Sequence, residues 1–149
     1  MIAELILEDQ AATERFARKL AELARARDIF ALRGPLGSGK TALARGFIRF
    51  LTETVIDVPS PTFTLLQSYD SAKGPLYHFD LYRLEAPDEA VELGIDDAFA
   101  EGISLVEWPE RLGLLLPARA LTIELTAGKG LEERVARITG GEEWNRRWA

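Results

Sequence analysis

The chain of 149 residues has no cysteine. Disulfides, cysteine-ligated zinc and iron–sulfur clusters are thereby excluded, and a reducing, cytoplasmic setting is compatible with the sequence. No apolar run approaches the length of a membrane span, so no membrane association is expected. Residues 1–10 carry Glu4, Glu8 and Asp9 without a basic cluster, which does not read as a signal peptide. Positive charge is in deficit: 18 Lys and Arg stand against 24 Asp and Glu, a net charge of −6. Affinity for nucleic acid comes mostly from cationic contacts to phosphate. A stand-alone binder of DNA or RNA is therefore not expected, and a nucleic-acid role would work through a partner, short of a local basic patch. The only asparagine is Asn145, so the Asn-Lys-x-Asp motif that reads guanine is absent, and no Asp-x-x-Gly switch exists either.

What is present is ordinary for one soluble domain with a substantial core: 47% hydrophobic and 28% charged residues. The informative stretch is Gly34-Pro35-Leu36-Gly37-Ser38-Gly39-Lys40-Thr41, which fits the phosphate-binding pattern G-x-x-x-x-G-K-[ST]. Glycines let successive backbone N–H groups turn inward on phosphate oxygens. Lys40 supplies a point charge for the β- and γ-phosphates, and the Thr41 hydroxyl can take one position on Mg²⁺. The flanks agree. Asp28 to Arg33 reads as a short buried strand. Leu43, Phe47, Ile48 and Leu51 recur at helical spacing, so a helix starts at or just before Lys40 with its N-terminus toward the phosphates.

The rest of the chain reads as alternating short elements. Residues 2–7 suggest an edge strand, and 10–26 an amphipathic helix with Ala12, Phe16, Leu20 and Leu23 on one face. Pro59 and Pro61 make residues 58–64 an extended loop. Leu65 to Asp70 and Leu76 to Leu84 predict a hairpin. A short helix follows from Pro87 to Leu93, stopped by Gly94, and Ile95 to Ala100 suggests another turn or two. Ile103 to Val106 is an apolar strand ending at Glu107, and Pro109 to Leu114 a brief helix. Leu121 to Leu125 and Arg134 to Ile138 read as a closing strand pair. Residues 142–149 read as a short helical tail on a domain spanning 1–140, which docks on the core or frays.

Nucleotide hydrolysis or transfer needs an acid at a strand end to hold Mg²⁺, directly or through water. Asp80 and Glu107 both qualify, and periodicity does not choose between them. A threonine in the Ser60–Thr64 loop could sense a γ-phosphate. His78, the only histidine, shares a strand face with Asp80 and Tyr82; a structural role is the simpler reading. Arg83 more readily pairs with a carboxylate than acts as an arginine finger, and Trp108-Pro109 reads as packing and helix initiation. Adenine nucleotide is favoured by the missing guanine motif. A small-molecule or nucleoside kinase is the alternative, although its usual arginine-rich lid finds no counterpart in the scattered Arg83, Arg111, Arg119, Arg134 and Arg137. A nucleotide-gated binding module is a third reading.

Four motifs in order carry a resemblance: Gly34 to Thr41, Ser60-Pro-Thr-Phe-Thr64, His78-Phe-Asp-Leu-Tyr-Arg83 and Glu107-Trp-Pro-Glu110. Together with Leu93-Gly94 they resemble the TsaE (YjeE) family, bacterial ATPases needed to make threonylcarbamoyladenosine in tRNA. The resemblance runs from about residue 5 to residue 139 and leaves out the tail after Gly140. It implies an α/β fold, a single P-loop NTPase domain with a mixed central β-sheet flanked by helices, and ATP with Mg²⁺ as cofactors. It also implies weak ATPase activity and a TsaB–TsaD heterodimer as partner, with tRNA reached through that pair and turnover resetting it. By the same resemblance Gly37, Ser38, Gly39, Lys40 and Thr41 cradle the phosphates, and Thr41 and Glu107 ligate the metal. Asp80 orients or activates the attacking water, and Thr62 is the switch threonine. Thr13 matches a position near the adenine and Arg134 one near the nucleotide. Trp108 matches the tryptophan after the acidic ligand. Pro35 and Ser38 fall at positions that vary within the family.

Overall fold

The computed structural model of the protein describes residues 1–53, 58, 59, 61 and 64–149. One sheet holds seven strands: β1 (Ala3–Leu7), β2 (Ile29–Arg33), β3 (Leu66–Ser71), β4 (Gly74–Asp80), β5 (Ile103–Glu107), β6 (Leu121–Ala127) and β7 (Arg134–Thr139). Their order is β1-β7-β6-β2-β5-β4-β3. The four central strands β6, β2, β5 and β4 are parallel; β7 and β3 pair antiparallel with their two ends, and β1 pairs antiparallel with β7. The sheet is therefore mixed, as expected, with helices on both faces.

Two-sided cover explains why the middle strands are apolar throughout. β2 is buried from Ile29 to Leu32, and β5 is buried at all five positions, Ser104 and Glu107 included. Successive side chains point to opposite faces. Phe30 and Leu32 accordingly enter one core, with Phe16 and Leu20 from α1 (Gln10–Leu23) and Leu43, Phe47 and Ile48 from α2 (Lys40–Thr52). Ile29 and Ala31 enter the other, with Ile95 and Phe99 from α4 (Ile95–Glu101), Ala90 from α3 (Asp88–Glu92) and Leu112 from the 3-10 turn Pro109–Leu115. Each large apolar side chain removed from water in this way contributes about 1.5–3 kcal/mol.

Three boundaries differ from the pattern in the sequence. α1 ends at Leu23 rather than at residue 26, because Ala24 turns extended (φ −63°, ψ 142°) and remote side chains take over the last carbonyls. Lys73 Nζ donates to the Ala21, Glu22 and Ala24 carbonyls at 2.8–2.9 Å, and Arg147 donates to that of Leu23 at 2.7 Å. The second hairpin strand stops at Asp80, not Leu84. Past it the chain bends at once: Tyr82 N–H donates to the Asp80 carboxylate at 3.1 Å, and Leu84 N–H to the Leu81 carbonyl at 3.0 Å. The hairpin turn itself is only Ala72-Lys73, since Ser71 pairs with Gly74.

The tail is docked on the core. α5 (Glu142–Trp148) puts Trp144, 4% exposed, edge-on to Phe30 with ring centroids 5.5 Å apart. Its indole N–H donates to the Arg119 carbonyl at 2.8 Å. Arg147 pairs with Asp28 through two hydrogen bonds of 2.6 and 2.9 Å.

Candidate phosphate-binding site

β2 delivers the chain to the C-terminal edge of the parallel strands, and the loop 34–39 turns it into α2. Gly34, Gly37 and Gly39 have φ of 146°, 78° and 101°, values that side chains disfavour. The reasons differ along the loop. A Cβ on Gly34 would run into the Leu125 carbonyl and stand 2.6 Å from Ser38 Oγ, whereas one on Gly37 would meet nothing within 4 Å. Gly39 occupies the N-cap of α2 without a side-chain cap. The first N–H groups of a helix lack intrahelical acceptors and carry the positive end of its dipole, so an anion fits here.

Lys40 is bent back over its own loop. Its ammonium donates to the Gly34 carbonyl and, at 3.1 Å, to the Pro35 carbonyl, and lies 3.9 Å from the centre of the Trp108 ring. Burial lowers its pKa from the ordinary 10.5, against the opposing pull of Glu107, Glu110 and Asp80. Those carbonyls place a cation where phosphate oxygens would otherwise have to be neutralised.

The parallel register of β4 and β5 sets Asp80 beside Glu107. Both are buried, at 4% and 2% exposure. Glu107 has both oxygens engaged: Oε1 accepts from the Thr41 hydroxyl at 2.9 Å, and Oε2 lies 2.6 Å from His78 Nε2. Magnesium holds its oxygens at about 2.0–2.1 Å in an octahedron, so adjacent ligand oxygens sit about 2.9 Å apart. The Thr41–Glu107 pair already has that spacing, and both donors are hard oxygens, so the residues fit the metal. Among the described residues no three acidic or histidine side chains converge as a complete metal cage.

Residues 36–42, Asp80, Tyr82, Glu107 and Trp108 line one cavity of 310 Å³. Of the residues expected from the sequence, Gly37, Ser38, Gly39, Lys40, Thr41, Asp80 and Glu107 meet there. Arg134 adjoins it from β7, donating to the Ser38 carbonyl at 3.0 Å and the Gly37 carbonyl at 3.3 Å. Thr13 instead lines a second cavity of 550 Å³ between α1 and α2, which shares only Ala42 with the first. Thr62 lies outside the described residues. Two features escaped sequence reasoning. His78 is fully buried against Glu107, a contact made only by strand register. Trp108 takes a left-handed backbone (φ 60°) and packs on Tyr82 at a centroid distance of 4.9 Å, walling the cavity beside Lys40. An aromatic residue in that conformation is a strained exception of the kind found at functional sites.

Comparison with known proteins points in one direction. The family model described as "Threonylcarbamoyl adenosine biosynthesis protein TsaE" matches residues 7–136. The chain is 40% identical over 128 residues to the "tRNA threonylcarbamoyladenosine biosynthesis protein TsaE" of Bacillus subtilis, covering 85% of this chain and 78% of that protein. The Rickettsia bellii protein of the same name is 37% identical over 123 residues, covering 83% and 85%. A solved structure titled "Crystal structure of Bacillus subtilus YdiB" superposes with a TM-score of 0.79 at 29% identity, covering 99% of this chain and 93% of that one.

Proposed function

This chain belongs to the TsaE family, and from that membership we propose that it is a Mg²⁺-dependent ATPase acting as an accessory subunit in the threonylcarbamoyladenosine modification of tRNA. In this reading ATP turnover resets the TsaB–TsaD pair that carries out transfer to the tRNA. The observation that supports it most is the Thr41–Glu107 contact at 2.9 Å beside a glycine loop and a helix N-terminus. Each part has work to do. The loop amides and Lys40 bind and orient the triphosphate. Thr41 and Glu107 would hold the metal, which would supply positive charge against the triphosphate. Asp80, one strand over from Glu107, orients the attacking water. Arg134 ties the Ser38 and Gly37 carbonyls and so stiffens the loop.

Among the described residues, no cluster of arginines forms a lid that would support the kinase alternative. Arg119 donates to the Arg27 and Phe99 carbonyls, and Arg137 to Glu4, on separate parts of the surface. The test is labelled ATP with the TsaB–TsaD pair present or absent, alongside nucleoside acceptors. Phosphate release that rises with the pair, and restored tRNA modification in an extract depleted of this protein, are the expected results. Label transferred to a nucleoside overturns the reading in favour of a kinase.

A further inference from the structure

Charge on this protein is divided by its sheet. α1 and α2 together carry six Lys and Arg against two Glu, a net of +4 with Lys40 of the glycine loop included, on a chain whose overall net charge is −6. Residues 85–101, with α3 and α4, hold seven acids and no base. α1 and α2 pack on one core of the sheet, and α3 and α4 on the other. A protein whose overall charge repels phosphate therefore presents one face that attracts it.

That face has shape as well as sign. The 550 Å³ groove between α1 and α2 is lined by Arg18, Arg45 and Arg49, with Phe50 on its wall and Glu14 and Glu53 also bordering it. Arg15, Arg18, Lys19 and Arg49 are exposed. Among the described residues none of these four makes an ion pair. Two of them lie against aromatic rings. The Arg18 guanidinium is 5.5 Å from the Phe50 ring centre, and the Lys19 ammonium is 4.0 Å from that of Trp148. Phe50 stays 37% exposed although it is a large apolar side chain.

We propose that the α1–α2 face, centred on Arg18, Arg49 and Phe50, is a docking surface for a strand of RNA, with the cations on its phosphates and the aromatic edge against its bases. Charge complementarity selects a polyanion. Exposed aromatic surface between the cations selects RNA over an acidic polypeptide, because bases stack on rings and guanidinium planes whereas carboxylates do not. The acidic helices lie across the sheet, beyond the roughly 8 Å over which charge is felt at physiological salt, so they do not cancel the attraction. That the strand belongs to the tRNA being modified rests on the function proposed above; the surface itself does not. RNA held mainly by partner proteins would gain here a direct, salt-sensitive contact.

The test is fluorescence anisotropy of a labelled single-stranded RNA and of an unmodified tRNA transcript, titrated with the nucleotide-free full chain at low salt. Binding is expected to weaken with rising salt, at a log–log slope of about −0.7 per phosphate neutralised on a single strand. Arg49→Glu is expected to weaken it by roughly tenfold and Arg49→Gln by less, since charge is the cause. Lys129→Glu makes the same charge change in the turn between β6 and β7 and, compared at physiological salt where screening is about 8 Å, is expected to leave binding within about twofold. No RNA binding by the native chain at low salt overturns the proposal, as does an equal loss in Arg49→Glu and Lys129→Glu. Polyglutamate bound more tightly than RNA overturns it in favour of an acidic protein partner. Calorimetric titration of ATP into the same proteins reads the phosphate site separately, so failure of RNA binding with ATP binding intact removes this inference alone.

Discussion

His78 Nε2 stands 2.6 Å from Glu107 Oε2, with both side chains shut away from solvent. The other carboxylate oxygen is thereby left turned toward Thr41, 2.9 Å from its hydroxyl. Adjacent parallel strands make this possible: His78 lies on β4 two residues before Asp80, whose register partner on β5 is Glu107 itself. The histidine is a positioning residue, fixing the rotation of the proposed metal ligand.

His78→Ala strips the donor from a buried carboxylate oxygen, and that loss costs about 1–3 kcal/mol of stability. Affinity for ATP should fall in the presence of Mg²⁺ and change little once the metal is chelated. His78→Gln, which keeps a donor, should recover part of the loss. Calorimetric titrations with Mg²⁺ and with chelator make the comparison, and equal loss under both conditions would assign His78 to packing alone.

Two glycines of the loop should separate by mechanism. Gly34→Ala forces a methyl into the Leu125 carbonyl, so melting temperature and nucleotide binding fall together. Gly37→Ala meets open space and bears only the left-handed backbone penalty, about 1–2 kcal/mol. Thermal melts of the two proteins side by side should rank Gly34→Ala as the more damaged.

Lys40 sets a pH dependence. Its folded pKa lies below its ordinary 10.5 because of burial. Between those values the unfolded chain binds the extra proton, so stability rises as pH climbs through the folded pKa, and the penalty is complete below it. A triphosphate brought to the ammonium favours the charged form again. ATP binding should therefore take up a proton at pH values between the lowered folded pKa and the ordinary 10.5, and weaken as pH rises further. Titrations in two buffers of different ionisation heat measure the uptake; identical apparent enthalpies across that range would contradict it.

The C-terminal helix should be needed for stability. Trp144→Ala empties a core position beside Phe30 and should cost about 3–5 kcal/mol. Asp28→Ala leaves the largely buried Arg147 without its carboxylate, at a cost of about 3 kcal/mol. Urea denaturation midpoints report both. A tail that contributes nothing would leave them where they are in the native protein.

Local chemistry was legible in the chain itself. The turn from Gly34 to Lys40, the helix after it and the apolar strands before Asp80 and Glu107 each follow from spacing within a few residues, which is all that backbone sterics and amphipathic period require. Helices on both faces follow the same logic, since strands apolar on both faces call for cover on both sides, whereas the mixed strand directions are expected from the family resemblance alone. The exceptions come from contacts distant in sequence. α1 stops early because Lys73 and Arg147 reach its carbonyls from 49 or more positions away. Strand β4 stops at Asp80 because the carboxylate captures the Tyr82 amide.

The sequence by itself determined that a phosphate-binding loop opens a helix after a buried strand, because glycine conformation and helical periodicity are local properties. It left two strand-end acids as equals. Tertiary structure decided their places, putting Glu107 between Thr41 and His78 and Asp80 alongside, because strand register is a pairing between segments that no local pattern encodes. It decided too that the basic residues of α1 and α2 share one face, since only helix packing across the sheet turns a bias in composition into a surface.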